Sequence, residues 1–176
     1  MYAALKKKLA ADRADNRHTR DLQQYFSSPE LVNFVVAQVL KRTELQEVVW
    51  LEPSCGDGRF LTTLLQAGAQ YIVGYESVDK LQPVAAQSVA RAVADVATRS
   101  GTLPHASETI HAQVYQGDFL VSRRCFPAHK FVVALGKPHY DERRDDGSDL
   151  VHRFFEHAAN EWRALVIALI VPTRCV

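Results

Sequence analysis

Cysteine is scarce and unpaired: Cys55, Cys125 and Cys175 are widely spaced, form no C-x-x-C pair and have no paired histidines around them. That pattern argues against structural zinc and for a reduced intracellular protein, nuclear or cytoplasmic. No apolar signal-peptide core opens the sequence, and no stretch reaches the roughly 20 apolar residues of a membrane span, so no membrane partner is expected. A charge excess is missing too. With 21 Lys and Arg against 20 Asp and Glu, the net charge of +1 gives no global attraction to nucleic acid, and any basic patch must be local. There is not enough chain for two domains of ordinary size; 176 residues, 47% of them apolar, suit one domain with a real core.

The stretch that organises the rest is Val48 to Phe60. A short apolar run reads as a buried parallel strand, then breaks into Pro53, Gly56 and Gly58 before a new apolar period at Phe60, Leu61, Leu64 and Leu65. Strand, tight turn and helix follow in that order. A glycine without Cβ takes positive φ and lets a ligand approach, and the helix behind offers unpaired N–H groups, so the turn suits a nucleotide. The same turn also fits a plain strand-to-helix loop. The second strand, Tyr71 to Ser77, favours the nucleotide: it places Glu76 about 20 residues on, where a doubly wound fold puts the acid that binds ribose hydroxyls. A G-x-G-x-x-G nicotinamide fingerprint would need a third glycine where bulky Leu61 stands.

Residues Met1 to Gln24 are charge-rich, with Lys6, Lys7, Lys8, Arg13, Arg17 and Arg20 against Asp12, Asp15 and Asp21, and few apolar positions. They read as a basic arm, solvated or lying on phosphates. Ser28 as N-cap and Pro29 at the first helical position start a helix to about Lys41, with Val32, Val35, Val36 and Val39 as its stripe. A crossover helix occupies Ser77 to Arg99 on Leu81, Val84, Ala85, Val89, Val93 and Val96, and a polar loop runs from Thr102 to Thr109. His105 and His111 read as solvent residues. A third strand, His111 to Tyr115, leads to Asp118, which is also a good cap for a short helix. The fourth is Phe131 to Gly136, followed by Lys137, Pro138, His139 and Tyr140 at the carboxyl end, where such sheets place their sites. A charged loop, a helix on Leu150, Val151, Phe154, Phe155 and Ala158, and an apolar run from Ala164 to Pro172 complete the pattern. That last run reads as a central strand. Strands alternating with helices predict a doubly wound, mostly parallel α/β sheet.

Glu52-Pro53-Ser54-Cys55-Gly56-Asp57-Gly58-Arg59-Phe60-Leu61 resembles motif I of class I S-adenosylmethionine-dependent methyltransferases, in the form common among adenine amino-methyltransferases. Tyr25-Phe26-Ser27-Ser28-Pro29 resembles their motif X, which covers the methionine end of the cofactor and here precedes motif I. The resemblance implies a Rossmann-like fold spanning residues 25–176. It implies S-adenosyl-L-methionine as cofactor, held by Tyr25, Ser27, Pro29, Glu52, Pro53, Cys55, Gly56, Gly58 and Glu76. Gly117-Asp118-Phe119 matches a tract in which the acid accepts the adenine amine and the next residue packs on the ring. No metal is implied.

Lys137-Pro138-His139-Tyr140 stands where the family carries [NDS]-P-P-[YFW], so these four are the catalytic positions in a degenerate form. Asn or Asp there accepts a hydrogen bond from the target amine; charged Lys137 has three donors and no acceptor. His139 can accept through one ring nitrogen when neutral, and Tyr140 can stack a base. The family also adds a helix and an antiparallel hairpin beyond the point where this sequence stops, four residues after Pro172. The expectation is a domain without that hairpin, shortened, or covered at its edge by a second copy or partner subunit. The implied reaction is methylation of an exocyclic amine, of adenine in DNA or RNA or of a protein glutamine. A non-catalytic binding or scaffold subunit is the alternative.

Overall fold

A computed structural model of the protein describes residues 26–43, 48–99, 110–126, 130–138 and 150–171. Helix α1 (Pro29–Leu40) starts as its sequence directs: the Ser28 hydroxyl accepts from the Leu31 N–H at 3.3 Å, and Pro29 occupies the first turn, where no N–H is needed. Val32, Val36 and Val39 are its buried stripe. Strand β1 (Val48–Glu52) is buried at every position, as befits a strand covered on both faces. Helix α2 (Arg59–Ala67) begins at Gly58 and stops at left-handed Gly68, whose N–H donates to the Leu65 carbonyl at 3.0 Å. Strand β2 (Tyr71–Glu76), helix α3 (Gln82–Arg99) and strand β3 (His111–Gln116) follow. A short 3-10 turn, Phe119–Val121, precedes β4 (Phe131–Gly136), α4 (Leu150–Asn160) and β5 (Ala164–Leu169).

The strand order is β3-β2-β1-β4-β5, and all four ladders are parallel. The order reverses direction between β1 and β4, so their carboxyl ends form the crevice where an open α/β sheet takes its ligand. Side chains alternate across the sheet into two cores. Trp50, Ile72, Val133 and Leu135 meet α1, α2 and α3 on one face. Val49, Leu51, Val73, Val132 and Ala134 meet Phe119, Phe154 and Trp162 on the other. Trp162, just past the end of α4, is fully buried, its indole N–H donating to the Ser122 hydroxyl at 3.0 Å.

Some expectations need correction. The run from Ala164 is an edge strand of the described sheet, and Leu165 is 67% exposed. Its other side chains are apolar because Val166 and Ala168 face the α1 side while Ile167 and Leu169 face the α4 side. The crossover helix starts at Gln82, since residues 77–81 turn, with the Leu81 N–H on the Val78 carbonyl at 2.9 Å. Val84 and Phe155 lie outside the buried stripes. His111 is exposed as expected, stacked on Tyr71 with centroids 4.8 Å apart. The arm 1–24 and the loop 102–109 lie outside the described residues, where no helix is long and apolar enough to cross a membrane.

Gly74, inside β2, packs directly against Leu61 of α2. A Cβ there would lie 2.6 Å from Leu61 Cδ1 and 3.1 Å from Cys55 Sγ, both deeply buried. Gly74→Ala is therefore expected to destabilise the domain by about 1–3 kcal/mol, the scale of core overpacking, read as a lowered urea midpoint with unchanged slope.

Candidate functional site

The turn after β1 is tied both within itself and to β2. Gly56 and Gly58 both take left-handed backbone, at φ 55° and 80°. The Cys55 N–H donates to the Tyr75 carbonyl at 2.8 Å, and the Gly58 N–H to the Cys55 carbonyl at 2.7 Å. The Gly56 N–H donates to Glu76 Oε2 at 2.7 Å, while Glu76 Oε1 accepts from the Val78 N–H at 2.8 Å. The glycine amides are thus satisfied within the protein. What the glycines supply is close approach. A Cβ on Gly56 would sit 3.1 Å from the Phe26 ring, and one on Gly58 3.2 Å from the backbone of Ala85 in α3. Glu76 is fully buried, yet each carboxylate oxygen keeps further acceptor capacity.

Glu52, the last residue of β1, is 2% exposed. One oxygen takes a hydrogen bond from the Leu61 backbone N–H in the first turn of α2, and Oε2 has no partner among the described residues. Burial, and then the charges of Asp57 and Glu76, hold its carboxyl well above the usual carboxylate range. Pro53 is buried beside it. Cys55 is buried as well, and burial together with Glu52 and Glu76 pushes its thiol upward, so it packs as an unreactive SH.

Arg59, to which the sequence pattern gave no task, ties the segment before α1 to this turn. Its guanidinium pairs with Asp57 (Nε to Oδ1, 2.9 Å), donates to the Ser27 carbonyl and lies 5.1 Å from the centroid of Phe26. The Asp57 hydrogen bond raises its pKa further. The only signal available was the Asp57-x-Arg59 pair, and its third partner is 32 residues upstream. Ser27 is buried with no partner for its hydroxyl among the described residues, whereas Pro29 is exposed at the start of α1. Tyr25 lies outside the described residues.

Asp118 and Glu76 are brought to the same end of adjacent strands, with the Gly117 N–H on the Glu76 carbonyl at 2.9 Å. Asp118 is exposed and caps the 3-10 turn, Oδ1 accepting from the Leu120 N–H at 2.9 Å, so the short-helix reading holds. Phe119 is a core residue: it is 1% exposed and packs on Phe154, His157 and Trp162. The 3-10 turn aims its ring into the core. Lys137 and Pro138 leave β4 next to the site, Pro138 buried and Lys137 half-buried, with burial lowering the lysine's pKa. His139 and Tyr140 lie outside the described residues.

No protein-family model and no curated protein matches the chain. Solved structures do. The methyltransferase domain of bacterial CtHen1-C is 20% identical, with 77% of this chain and 61% of that one covered at a TM-score of 0.51. The chain has a methyltransferase-domain fold. Two further likenesses are the putative RNA methyltransferase PH1948 from Pyrococcus horikoshii (11% identity, 86% and 65% covered, TM-score 0.49) and magnesium protoporphyrin IX methyltransferase from Synechocystis PCC 6803 with bound SAH (17%, 70% and 53%, 0.45). The chain spans about half to two thirds of the length of these structures. In this methyltransferase-domain fold Glu52, Glu76, Asp118 and Lys137 lie at the carboxyl ends of β1, β2, β3 and β4, one residue for each strand around the crevice.

Proposed function

We propose that the domain binds S-adenosylmethionine at the carboxyl ends of β1 to β4 and serves methyl transfer to an exocyclic amine, with adenine of DNA or RNA as the acceptor and a protein glutamine amide as the other acceptor of this chemistry. The observation that carries the reading is the buried Glu76 carboxylate beneath a two-glycine turn, 2.7 Å from the Gly56 N–H. Its remaining lone pairs suit vicinal ribose hydroxyls, and a turn without Cβ atoms lets a nucleoside lie close. The orphaned Oε2 of Glu52 fits a cationic group beside it. Asp118 has an outward oxygen for an amine donor, and the Phe26–Ser27 segment, pinned by Arg59, walls the side nearest Gly56.

Bound S-adenosylmethionine supplies an electrophilic methyl group on a sulfonium. The residues around it bind, orient and exclude water, and positioning is their main lever on an in-line transfer. Lys137 is the residue that favours a second reading, a domain that binds the cofactor without catalysis. At the place of the amine acceptor it presents donors while charged, and a cation beside a sulfonium is repelled.

Calorimetry with S-adenosylhomocysteine, followed by tritiated-methyl transfer assays over DNA, RNA and protein pools, tests both readings. Saturable binding with methyl incorporation is the expected result. Binding with no transfer to any pool supports the non-catalytic subunit, and absence of binding removes the proposal. Lys137→Asn/His139→Pro is expected to raise transfer on the order of tenfold or more, the scale of one transition-state hydrogen bond.

A further inference from the structure

We propose that Glu52 is the counter-charge for the cationic end of the ligand, and that it loses a proton to solvent as that ligand seats, so that binding is coupled to proton release. This rests on the reading of the domain as an S-adenosylmethionine site and adds to it a proton that Glu52 gives up on binding.

The geometry comes first. Glu52 ends β1, the central strand, and β4 closes down on it: a Cβ at Gly136 would lie 3.1 Å from Glu52 Cγ and 3.4 Å from Oε1. The side chain is nine-tenths buried and more, one oxygen is held by the Leu61 N–H, and Oε2 has no partner among the described residues. A buried carboxylate with an empty acceptor is costly, and such a group sheds its charge by binding a proton.

The neighbours act the same way. Glu76 faces it from β2 and Asp57 from the turn, and both oppose a negative charge on Glu52. Arg59, at the start of α2, acts in its favour, but that guanidinium is committed to Asp57 and the Ser27 carbonyl. Cys55 in the turn stays a neutral thiol under the influence of Glu52 and Glu76. On the β4 side the titratable group is Lys137, next after Gly136. Acids therefore gather around the Glu52 carboxyl, and burial with their charge favours its protonated form. A fixed positive charge arriving at Oε2 makes the anion favourable, the carboxyl O–H bond breaks, and the proton passes to the buffer.

The ligand's positive charge has two sources, a sulfonium and an α-ammonium, and the ligands separate them. S-adenosylmethionine carries both, S-adenosylhomocysteine only the ammonium, and adenosine neither. Calorimetric titration of the full chain with each, in buffers of different protonation enthalpy between about pH 5.5 and 7, stays below the range near 7.7–8.0 where α-amino groups titrate. For S-adenosylmethionine the expected result is close to one proton released per ligand, with Kd falling about tenfold for each pH unit. Release with S-adenosylhomocysteine too assigns the ammonium; release with S-adenosylmethionine alone assigns the sulfonium. Glu52→Gln, which keeps the shape of the protonated acid, should fold, release no proton and lose the pH slope. Binding of S-adenosylmethionine without proton release, release that persists in Glu52→Gln, or equal release with adenosine overturns the inference while leaving the cofactor reading intact. Absence of all binding overturns both.

Discussion

Glu76→Ala is expected to lower the stability of the domain by about 3–5 kcal/mol and to weaken nucleoside binding by about a hundredfold or more. Two backbone donors, the N–H groups of Gly56 and Val78, end on its two carboxylate oxygens at 2.7 and 2.8 Å in a fully buried position. Each bond to a charged acceptor contributes about 1.5–3 kcal/mol, and each donor stranded away from water adds a penalty rather than a neutral loss. The turn would also lose the acid that holds Gly56 against β2. Glu76→Gln separates the two effects: it keeps one acceptor oxygen but turns an NH2 group toward a backbone N–H. It should therefore recover part of the stability while binding stays impaired. Urea unfolding of the three proteins, with S-adenosylhomocysteine titrations alongside, checks the prediction. Equal stability of Glu76→Ala and the parent would show that the turn is held by something else.

Glu52 gives the opposite sign. Its carboxyl is held well above the usual range by burial, then by Asp57 and Glu76, so the folded protein binds this proton more tightly than the unfolded chain. The stability linked to that proton is fully present below the unfolded value of about 4.3 and drains away as pH rises through the folded one. Glu52→Gln cannot titrate. Its unfolding free energy should match that of the parent at acid pH, then exceed it by about 1.4 kcal/mol for every pH unit until the folded titration point is passed. Subtracting the two pH profiles removes every other titrating group. A flat difference curve would mean that Glu52 titrates as an ordinary carboxylate, and a curve of reversed slope that it is ionised and paired.

Much of the fold was legible because burial writes a regular pattern. Val48–Glu52, apolar up to its final acid, is central in the sheet, and Phe131–Gly136 has the bounds its apolar run suggested. Ser28 and Pro29 set the start of α1 by local chemistry alone. The edge position of β5 was not legible, because facing two helical layers makes a strand apolar whether or not a neighbour lies beside it. At the site, the acids stand at the strand ends their positions suggested, but which way Phe119 turned depended on the 3-10 turn that begins at it. The bond from the Gly56 N–H to Glu76 was not legible, because its acceptor lies 20 residues away in sequence. Arg59 likewise meets a backbone carbonyl, and a carbonyl leaves no mark in a sequence.

That guanidinium grips the Asp57 carboxylate on one side and the Ser27 carbonyl on the other. The covering strap and the glycine floor are in effect two leaves on a single pin. A push on Phe26 would therefore be felt by both together.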